Sequence, residues 1–162
     1  MSTEKAIFAA GCFWGVEELF RAVPGVINTE VGYCGDSQDV ASYNIIKKGT
    51  TKHAEAILLE FDNQKITFES LVEKFFKLHD PTTKNQQGND IGPQYRSAIF
   101  YLSEDQKQVA QKVIENLTAQ KKYTRPIVTE VTAALEFYNA EDYHQDYLKK
   151  NPQGYTCHYW RD

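Results

Sequence analysis

The stretch Lys5-Ala6-Ile7-Phe8-Ala9-Ala10-Gly11-Cys12-Phe13-Trp14-Gly15-Val16-Glu17-Glu18-Leu19-Phe20 changes its period half-way. An unbroken apolar run over about 5–10 reads as a buried strand. Beyond Gly11, the residues Val16, Leu19, Phe20 and Val23 recur at helical spacing over about 13–22, and Pro24-Gly25 stops them. Strand, tight turn and helix therefore follow one another with Cys12 at the junction. The same reading extends along the chain. A strand at about 26–33 runs into Tyr33-Cys34-Gly35, and 36–52 is polar and irregular, with a short helix around 42–47. A strand at about 54–61 precedes a helix at about 68–79, with Thr67 as N-cap and Phe68, Leu71, Val72, Phe75 and Phe76 on one face. After a polar loop at 80–94 come a strand at about 95–102 and a helix at about 104–121, opened by a Ser103/Gln106 capping box. A strand at about 127–132, a short helix at about 140–149 and a loose tail complete the chain.

The first six elements read β-α-β-β-α-β. That order predicts an α+β fold with a ferredoxin-like core, an antiparallel sheet with helices on one face, and C-terminal additions. At 162 residues one catalytic domain is expected over 1–162, with about 151–162 a mobile tail that carries a cysteine. The net charge of −4 and pI near 5.6 argue against nucleic acid as partner, because phosphate contacts need a basic face. No run has the length of a membrane helix and the first residues lack a signal-peptide pattern, so no membrane partner is expected. Three cysteines, an odd number, fit a reducing cytoplasm in which thiols are kept for reactivity.

Cys12 sits where backbone N–H groups and the helix dipole favour thiolate, the nucleophilic form. Phe13 and Trp14 beside it offer an apolar wall. The competing reading is a small packing cysteine, which needs neither flanking glycines nor aromatics. In Ala54-Glu55-Ala56-Ile57-Leu58-Leu59-Glu60-Phe61, alternation puts Glu55 on the face of Ile57, Leu59 and Phe61. It is either a solvated strand end or a buried carboxyl held protonated, which facing Cys12 would make an acid–nucleophile pair. Cys157 follows the breaker-rich Asn151-Pro152-Gln153-Gly154 and could swing to an oxidised Cys12; Cys34, at a turn beside Tyr33, is a second candidate. The four histidines show no zinc spacing with the cysteines, and there is no phosphate or dinucleotide fingerprint, so neither metal nor cofactor is expected.

Gly-Cys-Phe-Trp-Gly at 11–15, Val-Gly-Tyr at 31–33, His-Ala-Glu at 53–55, Gln-Gly-Asn-Asp at 87–90, Gln-Tyr-Arg-Ser at 94–97 and Ala-Glu-Asp-Tyr-His-Gln at 140–145 together resemble the peptide methionine sulfoxide reductase A family. The resemblance implies that Cys12 attacks the sulfoxide sulfur, while Glu55 and the hydroxyls of Tyr33 and Tyr95 bond and protonate its oxygen. It implies that Phe13 and Trp14 hold the substrate methyl group, and that Asp90, His144, Tyr147 and Tyr155 line the site. The substrate would be the S epimer, free or in proteins. The sulfenic acid left on Cys12 would pair with a second cysteine, and thioredoxin would reduce that disulfide; a monomer is expected. Two departures bear on the second thiol. Cys157 lies one residue later after Gly154-Tyr155 than in many members, and Cys34 stands where a small residue is usual. Cys157 is the expected resolving thiol because its segment is free to move. Rival readings are a thiol peroxidase or disulfide oxidoreductase, weakened by the lack of Cys-x-x-Cys, and a non-catalytic peptide-binding module.

Overall fold

Side-chain alternation along the first strand sets the layers. In this computed structural model, which describes residues 2–161, the elements in chain order are β1 (Thr3–Ala10), α1 (Phe13–Arg21), β2 (Val26–Cys34), α2 (Tyr43–Ile46), β3 (Ala54–Asp62) and α3 (Phe68–Leu78). There follow β4 (Gln86–Gln87), β5 (Asp90–Ile91), β6 (Ser97–Tyr101), α4 (Glu104–Ala119), β7 (Glu130–Ala133), β8 (Tyr138–Asn139) and α5 (Tyr147–Lys150). The fold is α+β. One sheet has the order β7-β6-β1-β3-β2-β8, and β4 pairs with β5 apart from it. The large sheet is antiparallel except between β6 and β7.

Ala6, Phe8 and Ala10 of β1 point to one face, with Ile57, Leu59 and Phe61 of β3 and Ile99 of β6. Onto this face pack Val16 and Phe20 of α1, the apolar side of α3, and Ala110 and Val113 of α4. Phe8 is its centre, with ring centroids 5.2 Å from Phe75, 5.5 Å from Phe20 and 5.9 Å from Phe68. The opposite face (Ile7, Ala9, Cys34, Ala54, Ala56, Ala98 and Phe100) is covered by Leu58, Ala134 and Phe137.

Most boundaries agree with the sequence periodicity within a few residues. The Thr67 hydroxyl accepts from the Ser70 N–H at 3.0 Å, and Ser103 accepts from Gln106 N–H at 3.2 Å. The Gln106 amide does not return to Ser103; it accepts from Leu102 N–H and donates to Lys5 O, tying α4 to β1. The helix expected at about 140–149 is in fact two pieces, a 3-10 turn over Asp142–His144 and α5. Asp146 between them is left-handed, φ 53°, and its N–H donates to the buried Glu17 carboxylate at 2.8 Å. A tertiary bond has overridden local helix propensity there. Residues 151–161 form no helix or strand, yet they are seated against the body: Arg161 N–H donates to Lys77 O at 2.7 Å, and His158 is buried.

Since Phe8 is fully buried and meets three rings, Phe8→Ala is expected to cost about 3–5 kcal/mol of unfolding free energy. Chemical denaturation monitored by circular dichroism measures it.

Candidate active site

A strand that ends where a helix begins must turn sharply, and Gly11 makes that turn with φ 94°, which a side chain would strain. Cys12 is then the N-cap residue of α1. The first helical N–H groups have no intrahelical partner, and the Phe13 N–H donates to Glu55 Oε1 at 3.2 Å. Glu55 reaches it because β3 lies beside β1 and because alternation turns this residue to the helix face, opposite Tyr33 in the β2–β3 register. Only 2 % of Glu55 is exposed, so the solvated-end alternative does not hold for it; Cys12 is 8 % exposed and lies beside that carboxyl's amide partner rather than in the apolar clusters. Burial pushes the Glu55 carboxyl up to about 8, against the pull of the Phe13 N–H. At neutral pH it is an acid.

The thiolate expectation for Cys12 needs correction. Burial raises its pKa well above the ordinary thiol value, the Glu55 charge adds to that, and the Trp14 N–H opposes it without prevailing. The helix terminus is present as read; the dry surroundings outweigh it. Before substrate arrives the sulfur is a thiol.

Aromatic side chains wall the site. Trp14 stacks on Tyr147 with centroids 3.9 Å apart and planes at 11°, and its Nε1–H donates to His144 Nδ1 at 3.0 Å. That bond fixes the His144 proton on Nε2, which is buried with no partner. Phe13 packs 5.2 Å from the His144 ring and 5.8 Å from Tyr33. Tyr95, in a 3-10 turn over Pro93–Tyr95, has a hydroxyl raised first by burial and then by Glu55 and Asp90, with Tyr43 and Cys12 also acting on it. On the far side Asp90 accepts from the Tyr155 hydroxyl at 3.2 Å, and Cys157 Sγ lies 4.0 Å from Asp90 Oδ2. Asp90 and Cys157 are in turn among the groups that act on Cys12.

Tyr33 differs from expectation. It is fully buried, and its hydroxyl donates to Glu141 Oε1 at 2.8 Å, so the group expected at the sulfoxide oxygen is already engaged elsewhere. The residue that sequence reading missed is Tyr43. Its hydroxyl is raised first by burial, then by Glu55 and Cys12, and its ring lies 4.6 Å from His144. Glu141 positions it by accepting the Tyr43 N–H at 3.1 Å. Only that long-range bond singles it out; neither period nor motif does.

The two candidate second thiols lie on different sides of the sheet. Cys34 is fully buried on the face away from the helices, its Sγ 3.5 Å from Leu135 O, and burial pushes it up to about 11. Cys157 is half-buried beside Asp90, and all three cysteines are free. Among the described residues no group of three or more His, Cys, Asp and Glu is arranged to hold a metal ion, and no helix is long and apolar enough to cross a membrane.

The family profile described as peptide methionine sulfoxide reductase matches residues 4–162. The chain is 52% identical over 160 residues to "Peptide methionine sulfoxide reductase MsrA 1" of Mesorhizobium japonicum, covering 99% of this chain and 91% of that one. It resembles the reduced form of Mxr1 from Saccharomyces cerevisiae with a TM-score of 0.93 at 37% identity, covering 99% and 93% of the two chains. It also resembles Mxr1 in its complex with Trx2, with a TM-score of 0.67 at 27% identity over 99% and 91%.

Because the Glu55 pKa lies above the unfolded value, its contribution to stability is full in acid and fades as pH rises through about 8. Glu55→Gln lacks this loss. Its stability relative to the parent chain is expected to rise from pH 5 to pH 9 in urea titrations.

Proposed function

The chain belongs to the peptide methionine sulfoxide reductase family, and we propose that it reduces methionine S-sulfoxide, free or within proteins, with Cys12 as nucleophile and Glu55 as acid. The observation that carries this reading is a carboxyl group kept in its acid form at neutral pH and bonded to the amide that follows Cys12.

A sulfoxide has a polar S–O bond whose oxygen is a poor leaving group until protonated. Glu55 supplies the proton, and the hydroxyls of Tyr43 and Tyr95 hold the oxygen in place. Tyr43 takes the part expected of Tyr33, whose bond to Glu141 supports the Tyr43 backbone instead. As Cys12 sulfur attacks the substrate sulfur, its own proton goes to the Glu55 carboxylate. Losing its proton only as it attacks, the Cys12 thiol suits a dry site better than a standing thiolate would. The S–S bond made by this attack is transient: as the oxygen passes to Cys12 sulfur, the substrate S–O bond and the new S–S bond both break, so thiol and sulfoxide become sulfenic acid and methionine.

Phe13 and Trp14 hold the methyl group, and Asp90, His144 Nε2–H, Tyr147 and Tyr155 bind the rest of the methionine. In the second step Cys157 forms a disulfide with Cys12, and thioredoxin reduces it. Two observations support Cys157 over Cys34: Cys34 lies behind the sheet, and Cys157 lies beside Asp90. The complex that yeast Mxr1 forms with Trx2 supports thioredoxin as reductant. The order β6-β1-β3-β2, with α1 and α3 on one face, supports a ferredoxin-like frame. One domain, a monomeric state and a reducing cytoplasmic setting complete the reading, the last supported by the odd number of cysteines.

In single-turnover assays Cys12→Ser is expected to release no methionine, and Glu55→Gln to slow release by about 10²–10⁴-fold. Tyr43→Phe should slow it more than Tyr33→Phe. Cys157→Ser should give one methionine per protein and then stop recycling with thioredoxin; a peptide map after one turnover should show Cys12 joined to Cys157.

A further inference from the structure

Glycine within a helix costs about 1 kcal/mol relative to alanine, yet Gly15 lies in the first turn of α1. A Cβ there would collide with Thr156 Oγ1 and stand 2.5 Å from His158 Nδ1. A Cβ on Gly11 would stand 2.7 Å from Gln87 Cβ and 3.4 Å from His158 Nε2. The two glycines that bracket Cys12-Phe13-Trp14 thus leave a slot, and the His158 imidazole fills it. His158 Nε2 bonds to the carbonyl of Ala10, the last residue of β1. A carbonyl only accepts, so Nε2 carries the proton. The Thr156 hydroxyl accepts from His158 N–H at 3.1 Å, closing the segment on itself.

His158 is 6 % exposed while Tyr155, two residues before Cys157, is 42 % exposed and Tyr159 is 59 % exposed. Of the residues nearest Cys157, then, the chain drives one side chain into the body and leaves the others at the surface. That side chain is next to the second thiol and bonded two residues from the first.

We propose that His158 is a positioning residue for the disulfide step, pinning the tail between Gly11 and Gly15 so that Cys157 is presented to Cys12. This rests on the reading of Cys12 and Cys157 given above. In the step itself Cys157 sulfur bonds to the sulfenic sulfur and the S–O bond of Cys12 breaks. The departing hydroxide takes the Cys157 thiol proton and leaves as water. The pin makes this step intramolecular at high effective concentration, and with Nε2 protonated its Nδ1, 3.9 Å from Cys157 Sγ, faces the thiol as an acceptor and helps fix its direction. It has no part in the first step, in which only Cys12 changes.

Rapid-quench single turnover on the full chain separates the two steps: methionine release reads the first, and disulfide mapping with dimedone trapping of sulfenic acid reads the second. In His158→Ala methionine release should keep its rate while Cys12–Cys157 formation slows about tenfold, the effect of one lost buried hydrogen bond. Trapped sulfenic acid should rise in step. Gly15→Ala, which fills the slot from the other side, should do the same, and His158→Gln, which keeps an N–H donor, should recover most of the rate. An unchanged disulfide rate in His158→Ala overturns the proposal, and so does an equal slowing of methionine release, which would make the imidazole mere packing. If the parent chain itself forms no Cys12–Cys157 disulfide, the assignment of the thiols fails first and the pin with it.

Discussion

One amide organises the active end of this molecule. The Phe13 N–H, left without an intrahelical partner at the start of α1, is satisfied by the carboxyl of Glu55 from the neighbouring strand. An unpaired donor buried there would be costly, and so would an unpaired carboxyl. Each resolves the other's problem, and the residue before that amide is Cys12. The sheet order that sets β3 beside β1, and the alternation that turns Glu55 inward, are the conditions for this contact. Burial then determines the chemistry. It pushes the Glu55 carboxyl up to about 8 and holds the Cys12 thiol well above the ordinary thiol range.

A second tier holds this arrangement. Glu17 accepts from Thr29 Oγ1 and from the Asp146 N–H, and Arg21 bonds Asp146 Oδ1 at 3.0 Å. These bonds fix the left-handed residue between His144 and Tyr147, and so the two rings that flank Trp14. The Gln145 side-chain amide continues the work by bonding both the N–H and the carbonyl of Val31, as a further strand residue would.

Much of this was legible in the sequence, for physical reasons that can be named. The six central elements were readable because apolar residues recur with periods of two and 3.6 and because Pro24-Gly25 and the Thr67 and Ser103 caps punctuate them. Glu55 was readable as a carboxyl on an otherwise apolar face. Tyr43 was not: it lies in the polar 36–52 segment, and its place depends on Glu141, 98 residues away. Tyr33 was assigned from its motif, whereas its partner is a side chain that local pattern does not reveal. The break between His144 and Tyr147 was hidden likewise, since the bond from Glu17 imposes it. The protonation of Cys12 escaped because a helix terminus can be read from sequence while the dryness around it cannot.

The position of Cys34 has an effect on the protein's own vulnerability. Its sulfur shares a strand with Tyr33, yet the one-residue offset sends it through the sheet to the side roofed by Leu58, Ala134 and Phe137. The sheet is therefore a bulkhead between sulfurs. An oxidant or electrophile entering the reactive cleft meets two thiols and not three, and scrambling to a dead-end bridge would demand that strands part. The third sulfur is thereby kept in a compartment of its own.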